Sequence, residues 1–263
     1  MVPGGARRNP YEKWMSVNMD NTTLRFIRSV SVDWTAMPED SYLRGIPAIS
    51  TLDSLTFDAS VTFLVGENGT GKSTVLEGIA TAYGFNGEGG TLNYRFSTYD
   101  DVSELGQALS VARERGKARS SYFFRAESFF NLATAALKYG PSPRSTASFA
   151  NLHEQSHGES FLSFFNAFES EGLYLMDEPE SALSAQRQLS LLAMIDEGAV
   201  RGSQFIIATH SPILLGLPGA TILDFDNAPI HPCAYEETDA YRITETFINH
   251  RESVLHHLLR EQG

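Results

Sequence analysis

The sequence predicts an α/β protein with a mainly parallel central sheet flanked by helices. A small antiparallel β portion is expected at its N-terminus, and a helical lobe within it. Three observations carry this reading. SVTFLV (60–65), GLYLMD (172–177) and SQFIIA (203–208) are short, nearly continuous apolar runs, as strands covered on both faces require. Helical segments at about 71–83 and 181–198 stand between them, the alternation that builds parallel sheets. Residues 22–34 instead place Leu24, Phe26, Val30, Val32 and Trp34 at even positions, as a half-buried strand would.

In chain order, residues 22–34 read as the first strand and 60–65 as a central one, followed by a glycine-rich turn and a helix from Gly71 to Tyr83. The segment GFNGEGGTLNYRFSTYDD is too rich in glycine for a regular element. Residues 102–115 read as a helix, 121–127 as a strand, 128–139 as a helix and GPSPRSTAS (140–148) as a flexible loop. Two buried strands at GLYLMDEPE and SQFIIATH follow, and ATILDFD (220–226) reads as a further strand. The tail from Tyr241 to Arg260 carries Ile243, Phe247, Ile248, Val254, Leu255, Leu258 and Leu259, the spacing of one or two amphipathic helices. The organisation is an extension over 1–21, a main domain over 22–240 with its helical lobe at about 100–170, and a helical tail over 241–263.

With 263 residues and 42% hydrophobic content, the chain can bury one large core. Its single cysteine, Cys233, excludes an internal disulfide and suits a reducing compartment. No apolar run reaches the ~20 residues needed to span a bilayer, and the N-terminal residues lack the apolar stretch of a signal peptide. A cytoplasmic protein is expected. The net charge of −12 argues against a generally basic, nucleic-acid-coating surface. Locally, Arg113, Arg115, Lys117, Arg119 and Arg125 face only Glu114, which reads as a solvated helix end or as a phosphate or partner patch.

GENGTGKST (66–74) fits G-x-x-x-x-G-K-[ST], with a buried strand before it and a helix after it. Gly66, Gly69 and Gly71 let the loop curl, so that backbone N–H groups from Glu67, Asn68 and Thr70 onward can face phosphate oxygens. Lys72 brings a point charge to the β- and γ-phosphates, the Ser73 hydroxyl is a Mg²⁺ ligand, and Thr74 can reach the α-phosphate. Asp177 and Glu178 end an apolar strand, where ligands of open α/β sheets sit. Asp177 suits the metal shell, and Glu178, one residue further, suits polarising a water. His210 ends another buried strand, so a parallel neighbour would bring it beside Glu178. SHGES (156–160) opens a helix carrying Phe161, Leu162, Phe164, Phe165 and Phe168. A bare Gly158 beside Glu159 at a helix start leaves backbone N–H groups suited to a phosphate. His153 and His157 lie four apart but have no further ligand in metal-site spacing.

Phosphate loop, Ser-x-Gly-Glu, Asp-Glu-Pro and His, in that order, resemble an ATPase of the ABC superfamily, and more the soluble SMC/RecF-like type than a transporter subunit. The resemblance covers roughly residues 22–226 and implies a P-loop NTPase with an ABC-type ATPase head. It implies ATP and Mg²⁺ as cofactors, an ATP-dependent homodimer, and a signature at Ser156, Gly158 and Glu159 that contacts ATP held by the other subunit. It gives the catalytic roles to Glu178, His210 and Lys72, and metal binding to Ser73 and Asp177. The chain departs from the pattern at Gln155, at His157 in place of the signature's first glycine, and at Ser184, where transporters commonly carry Asp. No glutamine occupies the usual strand end between the ATP motifs, where Arg125 or Glu127 stands instead, and Tyr42 is the candidate to stack on adenine. The stretch between Ser73 and Ser156 is too short for long coiled-coil arms and shows no heptads.

The expected function is Mg-dependent ATP hydrolysis driving a conformational change in an unidentified protein partner or a nucleic-acid complex of repair or defence. The alternatives are the nucleotide-binding subunit of a transporter and a nucleotide-gated switch with little turnover.

Overall fold

A computed structural model describes residues 25–92, 103–116, 118, 120–125, 171–181 and 183–260. Its centre is a seven-stranded sheet. The strands are β3 (Val61–Val65), β4 (Gly90–Thr91), β6 (Ser120–Arg125), β7 (Gly172–Asp177), β8 (Gln204–Ala208), β9 (Thr221–Asp224) and β10 (His231–Cys233), in the spatial order β10-β9-β3-β8-β7-β6-β4. The five inner strands run parallel, and the two edge strands pair antiparallel.

Alternation along the inner strands divides the core into two layers. Leu64, Leu173, Leu175, Ile206 and Ala208 face one side, against Val75, Leu76, Ile79 and Tyr83 of helix α2 (Lys72–Tyr83). Phe63, Tyr174, Met176, Phe205 and Ile207 face the other, against Leu191 and Ile195 of α4 (Ala185–Val200) and Leu214 and Leu215 of α5 (Pro212–Leu215). Strands covered on both faces read as unbroken apolar runs for this reason. Helix α2 ends at Gly84, a left-handed residue whose N–H reaches the carbonyls of Ala80 and Thr81 at 3.1 Å.

The expected antiparallel portion is a three-stranded sheet, ordered β2-β1-β5, from β1 (Ser29–Val32), β2 (Ser54–Thr56) and β5 (Leu109–Ala112). Gln204 ties it to the main sheet. Its fully buried amide accepts from the Ile27 N–H at 2.9 Å and donates to the Ile27 carbonyl at 2.7 Å, as a strand neighbour would. With its backbone served by a side chain, Ile27 lies outside β1, and among the described residues of the strand read over 22–34 only four are in β1.

The helix read over 102–115 is corrected. Ser103 caps a single turn, α3 (Glu104–Ala108), and Leu109 then turns extended. Residues 109–112 pair with β1 from Leu109↔Val32 to Ala112↔Ser29, so ladder bonds replace the helical ones. The basic patch is corrected too, as far as it is described. Arg113 lies over the Tyr83 ring, Arg115 pairs with Glu171, and Arg125 pairs with Glu77 at 2.8 Å. Lys117 and Arg119 lie outside the described residues, as do 1–24, the helix read at 128–139 and the loop at 140–148. The tail is one helix, α6 (Asp239–Arg260), kinked at His250. Among the described residues no helix is long and apolar enough to cross a membrane.

Candidate active site

The loop after β3 is shaped by glycines in the left-handed region. Gly66 has φ 141° and Gly71 has φ 100°. A Cβ on Gly66 would stand 3.0 Å from Asp226 Oδ1, and one on Gly71 would stand 2.9 Å from the Ile49 side chain. Ile49 belongs to the short helix α1 (Pro47–Ser50), preceded by the 3₁₀ turn Tyr42–Gly45. Tyr42 on that turn is 67% exposed, a surface ring on the element that leans on the loop's end.

Lys72 opens α2 yet is buried, and its Nζ donates to the carbonyls of Gly66 at 2.6 Å and Glu67 at 2.8 Å. Burial pulls its pKa below the ordinary lysine value, while Asp226, Glu178, Asp177 and Glu67 pull it back up. The ammonium is thus the hub of an acidic ring. Ser73, one residue on, donates its hydroxyl to Asp177 Oδ1 at 2.8 Å across the sheet end. Two hard oxygen donors so close fit Mg²⁺, which takes few protein ligands and completes its shell from phosphate and water. Glu67, Asn68 and Gly69 are exposed on the loop's outer side, with Thr70 and Thr74 half-buried.

Parallel pairing of β7 with β8 continues one residue beyond β7, where the Glu178 N–H donates to the Ala208 carbonyl at 2.9 Å. Glu178 has φ 48°, a left-handed conformation costing about 1–2 kcal/mol for a residue with a Cβ. Strain of this kind persists where the surroundings over-determine it, here re-aiming the side chain after the strand. His210 Nε2 lies 3.9 Å from Glu178 Oε1, with both side chains close to half exposed. Arg125 is in register with Asp177, its Nε 3.9 Å from Asp177 Oδ2, and also donates to the Gly87 carbonyl at 3.0 Å.

Three contributors escaped sequence reading. Asp226 accepts from the Glu67 N–H at 2.6 Å, bracing the phosphate loop from the end of β9. Gln188 of α4 accepts from the Ser211 hydroxyl at 2.7 Å and donates to the Leu183 carbonyl at 3.0 Å, anchoring the segment after His210. Glu180 accepts from the His210 backbone N–H at 2.6 Å. The doubled acid in DEPE was its only signal. Ser156, Gly158, Glu159 and Glu127 lie outside the described residues, as do His153 and His157. Among the described residues no group of three or more His, Cys, Asp and Glu is placed to hold a metal.

Burial pushes the Glu180 carboxyl above the ordinary range, opposed by the Thr209 hydroxyl and the His210 amide and reinforced by the Glu178 charge. A carboxyl with a raised folded-state pKa contributes stability below its unfolded value and loses it as pH rises through the folded one. Glu180→Gln keeps an acceptor for the His210 N–H without the buried charge. The variant's Tm should match wild type near about pH 4 and exceed it by about pH 8. Thermal melts showing a gap independent of pH would remove the buried charge from the account.

A glycine-curled loop, the Lys72 hub, the Ser73–Asp177 pair and the strand-end Glu178 stand together at the C-terminal edge of a parallel sheet, the arrangement of a P-loop nucleotide site. More particularly, residues 128–216 match the family model described as "AAA domain, putative AbiEii toxin, Type IV TA system". That match takes in Asp177, Glu178 and His210 and lies downstream of the phosphate loop. Among solved structures, the chain is similar to "An inward-facing conformation of a putative metal-chelate type ABC transporter". The identity is 13%, over 82% of this chain and 88% of that one, at a TM-score of 0.46. It is also similar to the SMC head domain from Thermotoga maritima at 14% identity, over 80% of this chain and 99% of that one, with a TM-score of 0.45. No curated protein matches the chain.

Proposed function

We propose that this chain hydrolyses ATP with Mg²⁺ as a dimer that closes on two nucleotides, and spends the closure on moving a protein or nucleic-acid partner. One observation carries the reading. Lys72, the Ser73–Asp177 pair at 2.8 Å and the Glu178–His210 pair at 3.9 Å converge at the C-terminal ends of neighbouring strands.

In this reading the loop's N–H groups and the α2 N-terminus hold the phosphates, and the Lys72 ammonium turns from its two carbonyls to the β–γ bridge. Bound Mg²⁺, held by Ser73 and Asp177, would neutralise phosphate charge. Water attacks the γ-phosphorus as the bond to the β-phosphate oxygen breaks. The Glu178 carboxylate accepts the water's proton, the γ-phosphoryl group leaves as inorganic phosphate carrying the water oxygen, and ADP keeps the bridging oxygen on its β-phosphate. His210 donates to the γ-phosphate oxygens, and Arg125 stands at the metal pair's edge where the missing glutamine would be. Tyr42 stacks on adenine. Ser156, Gly158 and Glu159 of one protomer close over the other's γ-phosphate.

The test separates the two halves of such a composite site. Ser156→Arg should leave ATP binding to the monomer intact yet block closure and hydrolysis, while Lys72→Ala should lose binding. Mixing these two inactive chains puts both lesions into one site of the heterodimer and leaves the other site wild type. Activity should return, up to about half the wild-type rate per dimer. Heterodimers of each mutant with wild type are the control. If those are active and the mixed mutants stay dead, the signature does not act across subunits.

A further inference from the structure

Helix α6 is held to the body by its first turn. Thr238 is buried, Ala240 packs on the core, and the Tyr241 ring meets Tyr235 edge-on at 4.8 Å. Tyr235 in turn donates its hydroxyl to the Pro212 carbonyl at 2.8 Å. Beyond that turn the helix runs almost fully exposed. Ile243, Ile248, Leu258 and Leu259 are each more than 60% exposed, and Phe247 is 41% exposed. Scattered surface leucines need no explanation, but a cluster of large apolar side chains along one helix marks an interaction surface.

The polar side of the helix says what kind. Asp239, Glu245 and Glu252 balance Arg242, Arg251 and Arg260, within a chain whose net charge is −12. Helices that lie on membranes carry a basic polar face, whereas interspersed charges of both signs suit pairing with another helix. The apolar spacing says which helix. Ile243, Phe247, Val254 and Leu258 are separated by four, seven and four positions, symmetric about a point between His250 and Arg251. The kink falls at His250. A two-fold axis through that point sets Ile243 opposite Leu258 and Phe247 opposite Val254, in both directions at once. It also brings Glu245 opposite His256. Ile248 and Leu259 fall outside this pattern, opposite Ser253 and Arg242, but the four matched positions are self-complementary, as an isologous interface demands.

We infer that α6 pairs antiparallel with α6 of a second copy, making a dimer that needs no nucleotide. The pairing is separate from closure over ATP and does not depend on Lys72. Light scattering of the full chain without nucleotide should report a dimer at micromolar concentration, and Lys72→Ala should leave it unchanged. Phe247→Glu with Leu258→Glu alters only exposed side chains, so the thermal midpoint should hold while the dimer dissociation constant rises at least about a hundred-fold. In a Cys233→Ala background, Ile243→Cys and Leu258→Cys chains should cross-link when mixed. Neither should cross-link alone, because like positions on antiparallel helices lie roughly 22 Å apart. A monomer without nucleotide, a dimer indifferent to the double substitution, or cross-linking of Ile243→Cys with itself would each overturn the inference. So would flotation of monomers with anionic vesicles, which would assign the face to a membrane.

Discussion

Lys72→Ala is expected to weaken equilibrium ATP binding by about a hundred-fold or more. Truncating one partner of a buried, hydrogen-bonded charge pair typically costs about 2–5 kcal/mol. Here the loss is compounded, because Asp177, Glu178, Asp226 and Glu67 surround the ammonium. Without it that acidic ring is left to repel the phosphates. The fold should survive. Lys72 contributes two hydrogen bonds to loop carbonyls rather than core packing, and Val75, Leu76 and Ile79 hold α2 to the sheet regardless. Isothermal titration beside a thermal melt reads both parts. Binding within twofold of wild type would sink the assignment of the phosphate loop.

Replacing Glu178 by Gln should leave Mg-ATP binding within a few-fold of wild type and reduce turnover by about 10²–10⁴, the usual worth of a positioned general base. The amide is nearly isosteric and just as able to adopt the left-handed conformation at φ 48°, so the β7–β8 register and the Glu178 N–H bond to Ala208 should persist. It cannot accept a proton from water. If closure awaits ATP and opening awaits hydrolysis, the variant should also accumulate an ATP-dependent association beyond any present without nucleotide. Single-turnover hydrolysis and light scattering with and without ATP would show both effects. Undiminished single-turnover hydrolysis would remove Glu178 from the role of base.

Much of this site was legible because local chemistry constrains local sequence. A loop that curls around phosphate requires glycines at fixed spacing, and two of them stand at φ 141° and φ 100°. The acids Asp177 and Glu178 were legible because a doubly covered strand is an unbroken apolar run, and polar residues at its end stand out. Strand β5 was hidden. Four residues following directly on a helical turn carry too little periodicity, and the turn's own pattern ran into them. Asp226 was hidden differently. It is an ordinary acid in ATILDFD, and nothing local marks its carboxylate as the partner of the Glu67 N–H.

The sequence by itself determined which residues can do phosphate chemistry and which runs must lie in the sheet, since backbone sterics and burial act on neighbours along the chain. Only the tertiary structure decided who faces whom. Strand order put β8 between β3 and β7, setting His210 beside Glu178 and the Ser73 hydroxyl on Asp177. Register put Arg125 level with Asp177, and burial turned Glu180 from a spare acid into the acceptor that holds the His210 backbone. Those pairings join residues from 30 to 104 positions apart, and their energies exist only after the sheet has closed the distance.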